Sequence, residues 1–86
     1  MQVRVQPEEV RVKPGQQVHL TCVLDERTPP GSEMIWFRLG DEPLPLGTVV
    51  EGFSIVFTAL SESDAGSYLC GINGAHGIGV VYVEGY

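Results

Sequence analysis

Basic residues are scarce in this chain. Five stand against eleven acidic ones, for a net charge of −6 and a pI near 4.6. Arg4, Arg11, Lys13, Arg27 and Arg38 are scattered rather than clustered. That argues against nucleic-acid binding, which needs a basic stripe to displace counterions, and against a polybasic grip on anionic lipid. No apolar run is long enough to cross a bilayer, so this segment is not expected to insert into a membrane. Helical periodicity, internal repeats and low-complexity tracts are also missing. Asparagine is reduced to Asn73, followed by Gly74 and Ala75, so there is no N-glycosylation sequon. His19 and His76 fall on separate segments, and Asp25, Glu26 and Glu33 lack EF-hand spacing, so no metal or other cofactor is expected. No Gly-rich phosphate cradle is present, and Ser61, Ser63, Ser67 and His76 make no recognisable triad order. An enzyme is therefore not expected.

What is there is a succession of short alternating runs separated by turn signals, the pattern of an all-β chain. With 86 residues it is expected to form one domain over 1–86. Such a small domain buries only about 60–65% of the surface that its unfolded chain exposes. Met1 is followed directly by a strand-like Gln2-Val3-Arg4-Val5, as expected of a fragment excised from a larger protein. Val3 and Val5 alternate with polar residues, Pro7 interrupts, and Val10 and Val12 resume the alternation. Because proline cannot donate to a sheet ladder, this reads as a broken edge strand. Further strands are predicted over 17–24, 33–39, 53–60, 66–72 and 77–84, with Leu60 as an apolar plug. Residues 25–33 and 73–77 are predicted loops. The segment 40–47 reads mostly as loop, with a short strand at Leu44 to Leu46 as one option.

Asp64-Ala65-Gly66-Ser67-Tyr68-Leu69-Cys70 is the most specific stretch. Upstream of it stand Cys22 and the lone Trp36. The order Cys, Trp, then Asp-x-Gly-x-Tyr-x-Cys resembles the immunoglobulin superfamily, over nearly the whole chain. The resemblance implies an antiparallel two-sheet sandwich of Greek-key topology whose first strand crosses between sheets. It also implies an inter-sheet disulfide between Cys22 and Cys70, Trp36 packed on that bridge, and Tyr68 as the tyrosine corner. Closing the Cys22–Cys70 loop is worth roughly 4 kcal/mol in the chain-entropy model. Asp64 and Gly66 carry structural roles in the same motif.

The spacing from Trp36 to Cys70 resembles the intermediate set of the superfamily, found in perlecan, neural cell adhesion molecules and titin. That set usually follows its second Cys with Cys-x-Ala-x-Asn-x-x-Gly. Here Ile72 takes the Ala position and Gly74 the Asn position, a swap between two residues that tolerate positive φ. Variable-type domains often carry an Arg before strand E that pairs with the Asp of the corner. Residues 49–54 hold no basic residue, so Asp64 is expected to use N–H groups of its own turn or a distant arginine.

If Trp36 faces inward, Ile35 and Phe37 face outward, because strand side chains alternate. Tyr68 and Cys70 inward put Ser67, Leu69 and Gly71 outward. If Val81 and Val83 face inward, Ile78, Val80 and Tyr82 face outward. In the resembled fold these strands are neighbours in the order G, F, C. Ile35, Phe37, Leu69, Val80 and Tyr82, with Ile78 at the end, would then form one apolar area on the GFC face, kept flat by Gly71 and Gly79. Arg38 is placed at its rim. Two alternatives stay open. A one-residue slip in strand G would turn Ile78, Val80 and Tyr82 into core, and Leu44-Pro45-Leu46 offers a cover.

The expected function is protein–protein recognition through this face, heterophilic or as a homodimer, in an extracellular or cell-surface receptor or matrix protein. The loops 25–33 and 73–77, which the resemblance gathers at one end, are a second candidate surface. The alternative function is an intracellular docking module of a giant muscle protein of the titin or obscurin kind, with reduced cysteines in the cytoplasmic sarcomere. The even cysteine count favours the first; the missing sequon favours the second.

Overall fold

The computed structural model describes residues 1–85; position 86, the last of the expected domain, lies outside the described residues. Eight strands form two four-stranded sheets. One sheet has the order β1 (Val3–Gln6), β3 (Val18–Leu24), β6 (Ser54–Phe57), β5 (Thr48–Glu51). The other has the order β2 (Glu9–Val12), β8 (Ala75–Val83), β7 (Gly66–Ile72), β4 (Met34–Arg38). Every pair is antiparallel except β2 with β8. That exception follows from Pro7. The chain leaves β1 there without reversing, and β2 joins the opposite sheet as a second edge strand. In the nomenclature of the resembled fold, β4, β7 and β8 are C, F and G.

The core lies between the sheets. From one side come Val3 and Val5, Val18, Leu20 and Cys22, and Ile55 and Phe57; from the other come Trp36, Tyr68, Cys70, Ile72 and Val81. Each set has period two, as strands require. Cys22 and Cys70 are joined by a disulfide with Cα atoms 6.1 Å apart, tying β3 to β7. Trp36 is the ladder partner of Cys70, so the indole lies beside the bridge. Leu60 closes the end of the core, its N–H donating to the Gln16 carbonyl and its carbonyl accepting from the Gly15 N–H.

Three local expectations are corrected. Leu44 to Leu46 forms no strand. Pro43 and Pro45 have no N–H to offer an edge, Leu44 packs against the core, and the chain makes only one bridge there, between Arg38 and Glu42. The strand of that region is β5, which pairs with β6 and is carried by Thr48-Val49-Val50, a β-branched run. The loop expected over 73–77 shrinks to two residues. Ile72 pairs with Ala75 around Asn73 (φ 50°) and Gly74 (φ 82°), an Asn-Gly turn whose positive dihedrals match strand twist. Gly79 does not flatten the outer face, because it points inward. A Cβ there would lie 2.6 Å from Val5 Cγ1, and one on Gly77 would lie 2.8 Å from the Arg4 backbone. These two glycines let β1 ride close over β8.

Candidate functional site

Tyr68 anchors the strand that carries the site. Its hydroxyl donates to the Asp64 carbonyl across a 3₁₀ turn at Glu62–Asp64, as a tyrosine corner should. Burial pushes the Tyr68 phenol from its ordinary 10 up to about 12; Arg38 opposes the rise and Asp64 adds to it. The Asp64 carboxylate accepts from the Ser61 N–H at 3.0 Å, so it is held by its own turn. Arg38 is not at the rim of the outer face. It shares the inward side with Trp36, lies 5.4 Å over the Tyr68 ring, and donates to the Ser63 and Ala65 carbonyls at 3.0 Å each. The turn is thus clasped by an arginine from β4. Gly66, at φ 144°, takes a conformation that side-chain-bearing residues rarely adopt, and so lets β7 begin beside that guanidinium.

With Trp36 buried, the outward set is ordered by register. Ile35 stands opposite Gly71 and then His76. Phe37 stands opposite Leu69 and then Ile78. Ser67 stands opposite Val80, and Tyr82 opposite Arg11. Strand β8 keeps the register in which Val81 is core, so Ile78, Val80 and Tyr82 lie on the outer side. Ile35 is 54%, Ile78 47% and Tyr82 38% exposed, while Phe37, Leu69 and Val80 are half-buried. The six expected residues therefore share one face, with Phe37, Leu69 and Ile78 as its central row.

Sequence reasoning missed Leu39. It continues the alternation one step past β4, bonds through its N–H to the Ser67 carbonyl, and is 62% exposed. The parity that placed Phe37 outward would have placed Leu39 there too. His76, expected in a loop, is an exposed strand residue on this face, edge-on to Phe37 with ring centroids 6.1 Å apart. Both rings pack over Gly71, where a Cβ would come within 3.0 Å of the imidazole. Glu33, Ile35, Phe37 and His76 border a shallow depression of about 180 Å³ at the loop end. The opposite edge is polar. The Arg11 guanidinium lies 4.3 Å over the Tyr82 ring and 3.6 Å from the Glu84 carboxylate.

The outer face of the other sheet differs. Its central row is Gln6, Thr21, Ser54 and Glu51, with the Thr21 and Ser54 hydroxyls hydrogen-bonded at 2.7 Å. Its neighbours are mixed, with Arg4 and His19 exposed and the His19 row continuing into buried Val56 and the exposed Val49. A wider hollow of about 680 Å³ opens near the end of β3, where Val23, Arg27 and the 61% exposed Phe53 meet. Asp25 and Glu26 also line it. The expected meeting of loops is found: the Asn73 amide donates to Ser32 Oγ at 3.0 Å, joining the β7–β8 turn to the loop before β4. Among the described residues no group of His, Cys, Asp or Glu is arranged to hold a metal ion.

Residues 2–73 match the family model described as "Immunoglobulin domain". The chain is also similar to cell adhesion molecule 4 of Xenopus laevis, with 33% identity over 73 residues. That stretch is 85% of this chain and 18% of the relative, so the chain spans under a fifth of the length of the curated protein it matches.

Proposed function

The chain belongs to the immunoglobulin domain family, and we propose that it is a non-catalytic recognition module that docks a partner protein through the outer face of β4, β7 and β8. The observation that carries this reading is the apolar central row Phe37, Leu69 and Ile78, bordered by Ile35, Leu39, Val80 and Tyr82, with Ile35, Leu39, Ile78 and Tyr82 exposed. A free-standing antiparallel sheet turns polar residues to solvent, and a contiguous apolar area commonly marks a partner site. Aromatic side chains such as Phe37 and Tyr82 are the expected anchors, since they bury much area and order few torsions.

The similarity to a cell adhesion molecule and the bridged cysteines support a cell-surface or extracellular setting, with this domain as one module of a larger protein. Both weigh against the sarcomeric alternative, for which a count of free thiols in unreduced, denatured protein would have to give two. The net charge of −6 makes two copies repel, which favours a partner other than a second copy.

The test is a binding screen of the purified domain against an array of cell-surface ectodomains, repeated with Phe37→Ser and Leu69→Asp. Loss of a specific signal in both variants, with melting temperature nearly kept, supports the face. Binding that survives both variants overturns it. Sedimentation over a concentration series separates self-pairing from binding to another protein.

A further inference from the structure

We infer that Asn73 is a self-modification site, poised to deamidate at the tip of the β7–β8 turn and restrained by Ser32. This inference is independent of the docking partner. Asn73 is the chain's sole asparagine and is followed by Gly74, the residue that obstructs its own backbone nitrogen least. Both are exposed and form the two-residue turn outside the strand ladder. A Cβ added to Gly74 would meet nothing within 4 Å, so the turn tip is open to water.

The chemistry needs only water. The Gly74 backbone nitrogen gives its proton to solvent and attacks Asn73 Cγ. A nitrogen–Cγ bond forms, the Cγ–Nδ2 bond breaks, and ammonia leaves with a proton. The resulting five-membered imide is opened by water at Cγ, giving aspartate, or at the backbone carbonyl, giving isoaspartate. No oxidant or reductant takes part.

Two features oppose the attack in the folded protein. The turn holds Asn73 at φ 50°, and its amide donates to Ser32 Oγ at 3.0 Å, which fixes the group that must swing toward the Gly74 nitrogen. Ser32 Oγ can accept because its own proton goes to the Pro29 carbonyl at 2.7 Å. After conversion the carboxylate has no proton to offer that oxygen. The Ser32 hydroxyl must then turn away from Pro29 to donate to the carboxylate, or leave its lone pairs facing the carboxylate oxygens. Deamidation therefore adds a negative charge beside the depression bordered by Glu33, Phe37 and His76, and it breaks the Asn73–Ser32–Pro29 hydrogen-bond relay that joins the turn to the loop before β4.

The experiment incubates wild type, Ser32→Ala and Ser32→Thr in mildly alkaline buffer, folded and in denaturant. Conversion at position 73 is followed by peptide mapping and by isoaspartyl methyltransferase labelling. Folded Ser32→Ala should convert about two- to tenfold faster than wild type, the factor that one exposed hydrogen bond supplies. Ser32→Thr should match wild type, and all three should agree once denatured. Val12→Ala, which weakens the core margin and leaves Ser32 in place, should keep the wild-type rate. Equal folded rates for wild type and Ser32→Ala overturn the inference, as does acceleration by Val12→Ala, which would make global unfolding the controlling step. Absence of conversion at 73 in folded Ser32→Ala overturns it as well.

Discussion

Strands β4, β7 and β8 have two sides that are nearly equal in apolar content and opposite in fate. Inward they present Trp36, Tyr68, Cys70, Ile72 and Val81; outward they present Ile35, Phe37, Leu69, Ile78, Val80 and Tyr82. The inward set is covered by β1, β3 and β6, with β1 coming so close that only glycine fits at positions 77 and 79. The outward set has no second sheet over it and is met only by side chains of its own sheet, such as His76 beside Phe37 and Arg11 over Tyr82. Hydrophobicity alone therefore does not separate core from surface here. The presence of a second layer does, and the outward side has the composition of a layer whose cover comes from elsewhere.

The comparison breaks most visibly at Trp36. Trp36→Ala should cost about 3–5 kcal/mol in denaturant unfolding, the usual range for a large buried aromatic. Trp36→Phe should cost far less, because the buried indole nitrogen has no hydrogen-bond partner to lose among the described residues. A loss below about 1 kcal/mol for Trp36→Ala would mean that the inner side is not a packed core.

Adding one methyl group on each side sharpens the contrast. Gly77→Ala places a carbon 2.8 Å from the Arg4 backbone, which cannot move without dragging β1, and about 1–3 kcal/mol of overpacking is expected. Gly71→Ala crowds the His76 ring, an exposed side chain that can swing aside, and touches Phe37 only at an ordinary 3.7 Å, so a cost of about 0.5 kcal/mol is expected. Thermal melts of the two variants should therefore rank 77 well below 71. The reverse order would place the second layer on the wrong side.

Tyr68→Phe removes one hydrogen bond to the corner and should cost about 1–2 kcal/mol. It also carries a pH signature. The unfolded phenol ionises near 10 and the folded one at about 12. The stability that Tyr68 contributes is then complete below pH 10 and is lost as pH rises through 12, because above 10 the unfolded chain releases a proton that the folded one keeps. Urea unfolding across that interval should decline in wild type and decline less in Tyr68→Phe. Identical slopes would show that the phenol is not held by its burial.

The smallest stability effects belong outside. Phe37→Ser and Leu69→Asp should each change unfolding free energy by less than about 1 kcal/mol, as surface substitutions commonly do, while removing partner binding. A melting-temperature drop as large as that of Trp36→Ala would make the outer face part of the core.

Much of this was legible from local pattern. The period-two alternation around Trp36 placed Ile35 and Phe37 outward, and the bridge and the corner followed from the family resemblance that Cys22, Trp36, Tyr68 and Cys70 carry. Arg38 was misplaced at the rim, although the same parity puts it inward with Trp36; its guanidinium reaches a turn more than twenty positions away, which alternation cannot show. Gly79 was misread for a related reason. Its parity follows from Val81, but its purpose is the nearness of β1, a neighbour from the far end of the chain. The Leu44–Leu46 strand failed because two prolines outweighed two leucines, while Thr48-Val49-Val50 supplied the true edge.

The amino-acid order determined the parity of each strand, which depends on backbone alternation, and its resemblance to a family implied the sandwich and its staple. Only the tertiary structure decided which apolar side would stay bare, how close the two layers could come, and where Arg38 would spend its charge. Those depend on which distant segments arrive as neighbours, and packing between layers is set by the whole chain at once rather than by any stretch of it.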